Sequence, residues 1–215
     1  MKKVNLMAIK EDNIDLLQYE KDLYSKGIKL IAGVDEVGRG PLYGPVVAAA
    51  VILPENYKLK GLTDSKKLSE KKRNEFYEII YRDAIAIGIG IIYEDKIDEV
   101  NIYEATKLAM KDAINNLKIK PEYVLIDAMP LDIDIPTLSI IKGDAKSESI
   151  AAASVIAKVS RDSMLYELDK KYPMYGFGSH KGYPTKKHIE AIREYGLIPG
   201  YRKSYAPIKD MVKEK

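Results

Sequence analysis

The sequence predicts an α/β fold in which a mixed β-sheet is flanked by α-helices. Two strand-like segments cluster within residues 30–54 and are joined by a Gly- and Pro-rich turn, which favours a hairpin or a tight strand pair. Further along the chain, short strands alternate with helical patterns, as is typical of α/β folds. No internal repeat, low-complexity tract or Gly/Ser linker divides the 215 residues, so we expect a single domain.

Composition excludes several classes of protein. The hydrophobic content of 46% and the charged content of 31% are those of an ordinary globular protein. No apolar run reaches the roughly 18 residues that a membrane span needs. The absence of Cys excludes disulfides, thiolate metal sites and cysteine nucleophiles. Because the N-terminus lacks a signal-type apolar core, we expect a cytoplasmic protein with no membrane association.

The net charge of +3 indicates little by itself, but the basic residues are unevenly distributed. They cluster in two segments: Lys66, Lys67, Lys71, Lys72 and Arg73, then His180, Lys181, Lys186, Lys187, Arg193, Arg202 and Lys203. Such clusters suit a polyanionic partner. Solvated helix faces on a Lys-rich protein explain them equally well.

The first half of the chain is predicted to contain two helices and three strands. Residues 13–26 have helical spacing, and apolar runs within residues 30–53 form the first two strands. Ser69 is a suitable N-cap for a helix over residues 70–83. Residues 84–93 alternate Ile with small residues and predict a third strand, whose glycines indicate a close neighbour on one face.

The second half alternates helices with short strands. The expected elements are a helix over 102–117, a strand over 123–126, a strand over 138–141, a long helix over 147–172, a Tyr/Gly/Pro-rich loop over 173–184, a helix capped by Thr185 that ends at 195, an irregular segment over 199–207 and a frayed tail, MVKEK. We expect residues 1–28 to be an N-terminal helical extension and residues 173–215 a C-terminal helical portion.

Four acids lie where strands end or helices begin: Asp35, Glu36, Asp127 and Asp144. Open α/β sheets place their sites at the carboxyl ends of strands, and carboxylate oxygens suit Mg²⁺ or Mn²⁺. Each acid also has a structural explanation. Asp144 could cap the following helix, Asp127 could form an Asx turn, and Glu36 could pair with Arg39. All four being structural at such comparable positions is the weaker explanation.

The segment Gly38-Arg39-Gly40 combines backbone flexibility with a bidentate phosphate donor. It matches neither a dinucleotide fingerprint nor a P-loop, and a tight turn is the alternative. Tyr183 lies on a Gly/Pro loop beside basic residues, a pattern typical of nucleic-acid binding, although the chain has 16 Tyr and many of them will be exposed by chance.

Two other residue types are less informative. His180 and His188 lack the spacing of a metal site or a catalytic triad, so we expect surface histidines. Ser65 and Ser154 have neither a nucleophile-elbow motif nor a base to support a nucleophilic role.

Five segments together resemble one known family. They are GVDEVGRGPLYGPVVAAAVILP, DSKKLSEKKR, residues 123–130, KGDAKSESIAAASVIAKVSRD and GFGSHKGYPTKKH. From about residue 17 to residue 208, the chain closely resembles bacterial ribonuclease HII, the type 2 ribonuclease H family. The first and fourth segments are highly specific. The resemblance implies an RNase H-like fold with a C-terminal helical extension.

The resemblance also implies roles for individual residues. Asp35, Glu36, Asp127 and Asp144 match the metal-binding acids of the family. Gly38, Arg39 and Gly40 match the turn that reads the ribose 2′-hydroxyl, and Tyr183 matches the tyrosine that stacks on the sugar beside the scissile phosphate. Lys66 is expected to contact phosphate. Lys158 and Arg161 could also face the duplex, or either could be only a salt-bridge partner.

The activity that the resemblance implies is endonucleolytic. The enzyme would cleave the RNA strand of RNA–DNA hybrids and nick 5′ of single ribonucleotides in duplex DNA. Two Mn²⁺ or Mg²⁺ ions held by the acids would activate water and stabilise the 3′-oxygen leaving group, which yields 5′-phosphate and 3′-hydroxyl ends. The implied role is removal of misincorporated ribonucleotides and RNA primers, by a monomer.

Three other functions remain open from the residues alone. Another RNase H-like nuclease, such as an integrase or a junction resolvase, would use similar acids on all-DNA substrates. A nucleic-acid-binding protein without catalysis would show no dependence on divalent metal. A small-molecule nucleotide binder would use the Gly-Arg-Gly turn, but the sequence contains no recognisable triphosphate site.

Overall fold

A computed structural model describes residues 15–213 and contains one five-stranded sheet with the order β3-β2-β1-β4-β5. The strands are β1 (Ile31–Val37), β2 (Val46–Ile52), β3 (Ala86–Ile92), β4 (Tyr123–Asp127) and β5 (Thr137–Ile140). β1 pairs antiparallel with β2 and parallel with β4. β2 and β3 are antiparallel, and β4 and β5 are parallel. The predictions of an early hairpin and a mixed sheet are therefore confirmed.

The helices connect and cover this sheet. They are α1 (Gln18–Tyr24), α2 (Glu70–Asp83), α3 (Glu94–Val100), α4 (Ile102–Asn115), α5 (Glu148–Lys171), α6 (Phe177–His180), α7 (Lys186–Tyr195) and α8 (Ile208–Lys213). Short 3-10 turns precede α5 at Gly143–Ala145 and follow it at Pro173–Tyr175. Among the described residues, no helix combines the length and the apolar character needed to cross a membrane.

Alternation along β1 and β2 divides the core into two layers, because successive side chains of a strand point to opposite faces. Even-numbered residues such as Val34 and Ala48 pack against α4. Odd-numbered residues such as Val47 and Ala49 pack against α2 and the Ala-rich first half of α5. The central strands are buried on both faces, and both layers position elements that carry the candidate site.

Glycines permit the closest contacts between the helices and the sheet. A Cβ atom on Gly88 or Gly90 of β3 would collide with the α4 backbone at Ala113 or Ala109. A Cβ atom on Gly33 of β1 would collide with the α5 backbone at its N-terminal end. The expectation that glycines in the third strand mark a close neighbour is confirmed.

Predicted helix caps are also confirmed. The Ser69 side chain accepts a hydrogen bond from the Lys72 amide at 3.3 Å, and the Thr185 side chain accepts one from the His188 amide at 3.3 Å. These caps satisfy amide groups that the first turn of a helix leaves without partners.

Several boundaries differ from the predictions. α3 was not predicted, since seven largely charged residues give little apolar periodicity. The segment 173–184 is not a loop throughout, because it contains a 3-10 turn and α6. The first three residues of the tail MVKEK belong to α8, and residues 214–215 lie outside the described residues. The N-terminal helix begins at Gln18, whereas residues 13–14 of its predicted span are not described.

Candidate active site

Three of the four predicted acids meet at one edge of the sheet. Asp35 lies in β1, Asp127 is the last residue of β4, and Asp144 lies in the 3-10 turn before α5. One carboxylate oxygen from each lies within 4.8 Å of the others. Asp35 and Asp144 are buried, and Asp127 is partly buried. The arrangement offers three oxygen ligands to one small volume.

Strand register explains why these acids meet. β1 and β4 are parallel, and Val34 pairs with Ile126, so the next residue of each strand is Asp35 and Asp127. Both follow the odd-numbered alternation that faces α5. The Gly143 amide donates a 2.6 Å hydrogen bond to Oδ1 of Asp127, which ties the turn carrying Asp144 to the end of β4.

Glu36 does not join the group of three carboxylates. Its carboxylate nevertheless lies near the group, because it responds to the charges of Asp127 and Lys66. Its Oε1 atom lies 3.6 Å from Nη1 of Arg39, so the pairing considered as an alternative is present. Burial raises the pKa of Glu36, while Arg39 opposes this shift. Its predicted role as a metal ligand stays a prediction.

The acids of the group lie in an environment that disfavours their charged forms. Burial, followed by the charges of Glu36 and Asp127, raises the pKa of Asp35 well above its ordinary value. Burial, followed by Asp64 and Asp127, raises the pKa of Asp144 to about 6. Carboxylates gathered in this way are stabilised in their ionised form by a cation.

A divalent cation fits this donor set. The three carboxylates are hard oxygen ligands of the kind that Mg²⁺ and Mn²⁺ accept. Helix capping does not account for Asp144, because the N-cap of α5 is Ser147, whose side chain accepts from the Ile150 amide at 3.2 Å.

Lys66 lies close enough to respond to the acids. Burial alone would lower its pKa, but the surrounding carboxylates, led by Asp35, Asp64 and Asp144, raise it on balance. Its side chain remains exposed. The ammonium group is therefore beside the metal-ligand candidates and exposed, and its contact with a substrate phosphate stays a prediction.

The Gly38–Gly40 turn is fixed from beneath by a buried guanidinium group. Arg202 donates from Nη2 to the Gly38 carbonyl at 2.6 Å and from Nη1 to the Arg39 carbonyl at 2.9 Å. It also donates to the Gly44 carbonyl, at 3.0 Å from Nε and 2.7 Å from Nη2. Gly38 has φ +94°, a conformation that favours glycine. These hydrogen bonds hold the turn rigidly, while Arg39 and Gly40 are exposed. Residues 38–40 are called the sensor turn below, after their predicted role in reading the ribose 2′-hydroxyl.

Arg161 reinforces the same region. It is fully buried and donates to the carbonyls of Pro45 at 3.0 Å, Tyr43 at 3.1 Å and Lys181 at 3.1 Å. The expectation that Arg161 could face the duplex is wrong, because its guanidinium group is buried and donates its hydrogen bonds to carbonyls within the protein. Lys158 is a salt-bridge partner, with Nζ 2.7 Å from Oδ1 of Asp162.

Tyr183 lies directly over the sensor turn. A Cβ atom on Gly40 would lie 3.4 Å from Cε1 of Tyr183, an ordinary contact distance at its closest. The Leu42 amide donates to the Gly182 carbonyl at 2.8 Å, which joins the two loops. Tyr183 is 39% exposed, so its ring is accessible to a substrate. The structure therefore brings Gly40 and Tyr183 together.

The histidines correct a second expectation. His188 is fully buried and His180 is partly buried, so neither is an ordinary surface histidine. His180 ends α6 and His188 lies in the first turn of α7, and their rings stack on one another across the loop that carries Tyr183. The sequence did not predict this stacking, because the two histidines are brought together by the loop between them and not by the repeat of one helix.

Two further residues of the candidate site, Asp64 and Arg202, were not identified from the sequence. After burial, the charge of Asp64 is the next cause of the raised pKa of Asp144. Arg202 was counted only as part of a basic cluster. The position of Asp64 two residues before Lys66, in the TDSKK segment, is the sequence feature that could have identified it. No local feature of the sequence distinguishes a buried arginine such as Arg202 from an exposed one.

The comparisons with known proteins agree with this geometry. A family model described as Ribonuclease HII matches residues 32–208. A ribonuclease HII from Bacillus anthracis is 62% identical over 205 residues, which are 95% of this chain and 80% of that protein. The ribonuclease H2 of Pyrococcus horikoshii OT3 has a TM-score of 0.73 at 29% identity, over 86% of this chain and 97% of that chain.

A more distant structure, Bst-RNase HIII in complex with Mn²⁺, shares the fold with a TM-score of 0.68 at 17% identity, over 98% of this chain and 78% of that chain. The predicted RNase H-like fold is confirmed by these neighbours. The extent of the family match and the identity to its relatives lead to one conclusion: the chain belongs to the ribonuclease HII family, and it is a ribonuclease H that acts on RNA–DNA substrates.

Proposed function

We propose that this enzyme cleaves the RNA strand of RNA–DNA hybrids and nicks duplex DNA 5′ of single embedded ribonucleotides, leaving 5′-phosphate and 3′-hydroxyl ends. The observation that carries the proposal is the convergence of the Asp35, Asp127 and Asp144 oxygens within 4.8 Å of one another. Such a site suits phosphodiester hydrolysis because its carboxylates would hold divalent ions.

Asp35, Asp127 and Asp144 would bind the metal, with Glu36 as a further ligand when it leaves Arg39. Two ions, Mn²⁺ or Mg²⁺, would supply activation of the attacking water and stabilisation of the 3′-oxygen leaving group. Burial of Asp35 and Asp144 excludes bulk water from the ligands, which strengthens their electrostatic interactions.

Recognition of the ribonucleotide is assigned to the exposed turn and the tyrosine above it. The 2′-hydroxyl is the group that distinguishes RNA from DNA. Gly38, Arg39 and Gly40 present backbone groups on a turn held by buried arginines, and Tyr183 offers a ring for stacking on the sugar. Lys66 would contact phosphate, which positions the duplex without reading its sequence. We propose that one monomer and one domain suffice, because all these groups come from a single chain.

A cleavage assay tests this function. A DNA duplex with one ribonucleotide should be nicked on the 5′ side of that residue in Mn²⁺ or Mg²⁺, whereas the matched all-DNA duplex should stay intact. Chelation of the metal should stop cleavage. Cleavage of the all-DNA duplex would favour an integrase- or resolvase-like nuclease instead.

Substitution of Asp35 tests the site itself. Asp35→Asn should abolish cleavage of the ribonucleotide-containing duplex, because an amide is a poorer ligand than a carboxylate, while substrate binding measured by gel shift stays largely intact. Lys120→Ala, at an exposed position before β4, is the control and should cleave normally. Substantial activity in Asp35→Asn would refute the assignment of the metal site.

A further inference from the structure

The histidine pair next to the sensor turn has no role in the proposed chemistry. The rings of His180 and His188 are parallel within 15°, with centroids 4.1 Å apart. Phe177 packs against both at 5.7 and 5.5 Å in edge-on geometry. Two polar rings therefore lie inside an aromatic cluster, where each nitrogen needs a partner.

His180 is fixed as one neutral tautomer by its two partners. Its Nε2 atom lies 2.8 Å from the Tyr175 carbonyl, which can only accept, so Nε2 carries the proton. Its Nδ1 atom accepts from the Gly182 amide at 3.1 Å. His180 thus connects the turn before α6 with the residue that precedes Tyr183.

His188 holds Tyr183 from the other side. Its Nδ1 atom lies 2.8 Å from the Tyr183 carbonyl and donates to it. Its Nε2 atom then accepts from the Tyr201 hydroxyl at 2.9 Å. Burial lowers the pKa of His188 to about 4, and burial also lowers the pKa of His180. Both rings are neutral at physiological pH, as these hydrogen bonds require.

The exposure of Tyr183 makes these backbone contacts important. With 39% of its surface exposed, its ring is not fixed by packing alone. The preceding residues Lys181 and Gly182 have φ values of 52° and 82°, so the loop turns sharply before the tyrosine. The ring lies over Gly40 only if the backbone of residues 182 and 183 is held in place.

We propose that His180 and His188 are positioning residues for Tyr183, which they hold over the sensor turn by bonding the backbone of residues 182 and 183. This inference rests on the proposed function, in which Tyr183 stacks on the sugar of the substrate. The pair touches neither substrate nor metal and acts only through the tyrosine. A neutral, fully bonded polar pair of this kind specifies one arrangement of its loop.

Two substitutions of His188 separate its two hydrogen bonds. The Asn amide occupies the place of Nδ1, so His188→Asn keeps the donor to the Tyr183 carbonyl and loses the Tyr201 contact. The Gln amide reaches the place of Nε2, so His188→Gln keeps the Tyr201 contact and loses the bond to Tyr183. We expect His188→Gln to lower kcat/KM on a single-ribonucleotide duplex by about tenfold, whereas His188→Asn changes it by about twofold. Equal losses in the two variants would contradict the proposal.

A double-mutant cycle distinguishes positioning from a general structural effect, because residues that act through one another are not additive. In a Tyr183→Ala background, His188→Gln should cause no further loss of kcat/KM. An equal loss with and without Tyr183 overturns the inference and leaves the proposed function intact. A Tyr183→Ala variant with unchanged kcat/KM overturns the role of Tyr183 in the proposed function, and the inference with it.

Tyr201→Phe provides a variant that preserves packing if substitutions of His188 impair folding. It removes only the hydroxyl that Nε2 of His188 accepts from. We expect a loss of kcat/KM of about twofold with Tyr183 present, as for His188→Asn, and none in the Tyr183→Ala background. An unchanged kcat/KM with Tyr183 present, or the same loss in both backgrounds, would overturn the proposal.

Discussion

Among single residues, Asp144 titrates at an unusual pH. Burial, with the charges of Asp64 and Asp127, raises its pKa from 3.8 to about 6. Between these values the folded protein binds a proton that the unfolded chain has released, so stability falls as pH rises through this window. Occupation of the site by a cation would reverse the effect, because it favours the ionised carboxylate.

We therefore expect the metal-free protein to lose free energy of unfolding between about pH 4 and pH 6, relative to Asp144→Asn, which has no titrating group at this position. Urea unfolding at a series of pH values measures the difference between the two proteins. Parallel pH profiles for the wild type and the variant would show that Asp144 is not perturbed.

Arg202 is the residue whose replacement should most affect the sensor turn. Lysine has no guanidinium fork, so Arg202→Lys cannot satisfy the carbonyls of Gly38, Arg39 and Gly44 together. We expect the free energy of unfolding to fall by about 3 kcal/mol, since each buried group left without a partner costs roughly 1–3 kcal/mol. Urea unfolding measures this loss. Lys203→Ala, at an exposed neighbouring position, should keep a free energy of unfolding within about 0.5 kcal/mol of the wild type. A similarly small effect in Arg202→Lys would contradict the conclusion that the Arg202 hydrogen bonds hold the turn.

At the scale of elements, β1 organises the protein because it is the middle strand and contacts both layers. Its register with β4 sets Asp35 beside Asp127. Gly33, two residues earlier on the same face as Asp35, allows α5 to lie against the strand. The packing of α5 on β1 therefore belongs to the same arrangement that gathers the carboxylates.

Two glycine substitutions test this coupling between packing and the site. Gly33→Ala should push α5 from β1, and Gly90→Ala should push α4 from β3 on the opposite face. Each should destabilise the protein by about 1–3 kcal/mol, as overpacked substitutions do. Only Gly33→Ala should also weaken Mn²⁺ binding measured by calorimetry, because α5 follows directly from the turn that carries Asp144. Equal Mn²⁺ affinity in the two variants would refute the coupling.

At the scale of the whole molecule, the proposed substrate is a polyanion, whereas the net charge of the protein is only +3. Binding of the substrate therefore depends more on where individual lysines lie than on the net charge. Lys66 lies beside the metal site, whereas Lys120 lies before β4, at the end of that strand away from Asp127. The two residues form a matched pair for measuring phosphate contacts.

We expect binding of an RNA–DNA hybrid, measured without divalent ions, to weaken linearly in log–log plots as salt increases. Lys66→Ala should reduce the magnitude of that slope by about 1, because one phosphate contact is lost. Lys120→Ala should leave the slope unchanged. An unchanged slope in Lys66→Ala would remove this residue from the interface.

Local patterns predicted much of the fold. The hairpin, the alternation of later strands with helices, the caps at Ser69 and Thr185 and the close approach to the third strand all follow from periodicity and residue type. α3 and α6 escaped prediction because they are short and their patterns do not repeat for long enough to be recognised.

The sequence by itself determined which side chains are available for chemistry: acids at strand ends, a glycine-flanked arginine and a tyrosine on a Gly/Pro loop. The tertiary structure alone decided which of them meet. It placed Asp35 with Asp127 and Asp144, turned Glu36 toward Arg39, and buried Arg161, Arg202 and His188, all of which looked exposed from their type. The physical reason is that burial and partner choice depend on contacts between segments far apart in the chain, as between Arg202 and Gly38, and local periodicity does not encode them.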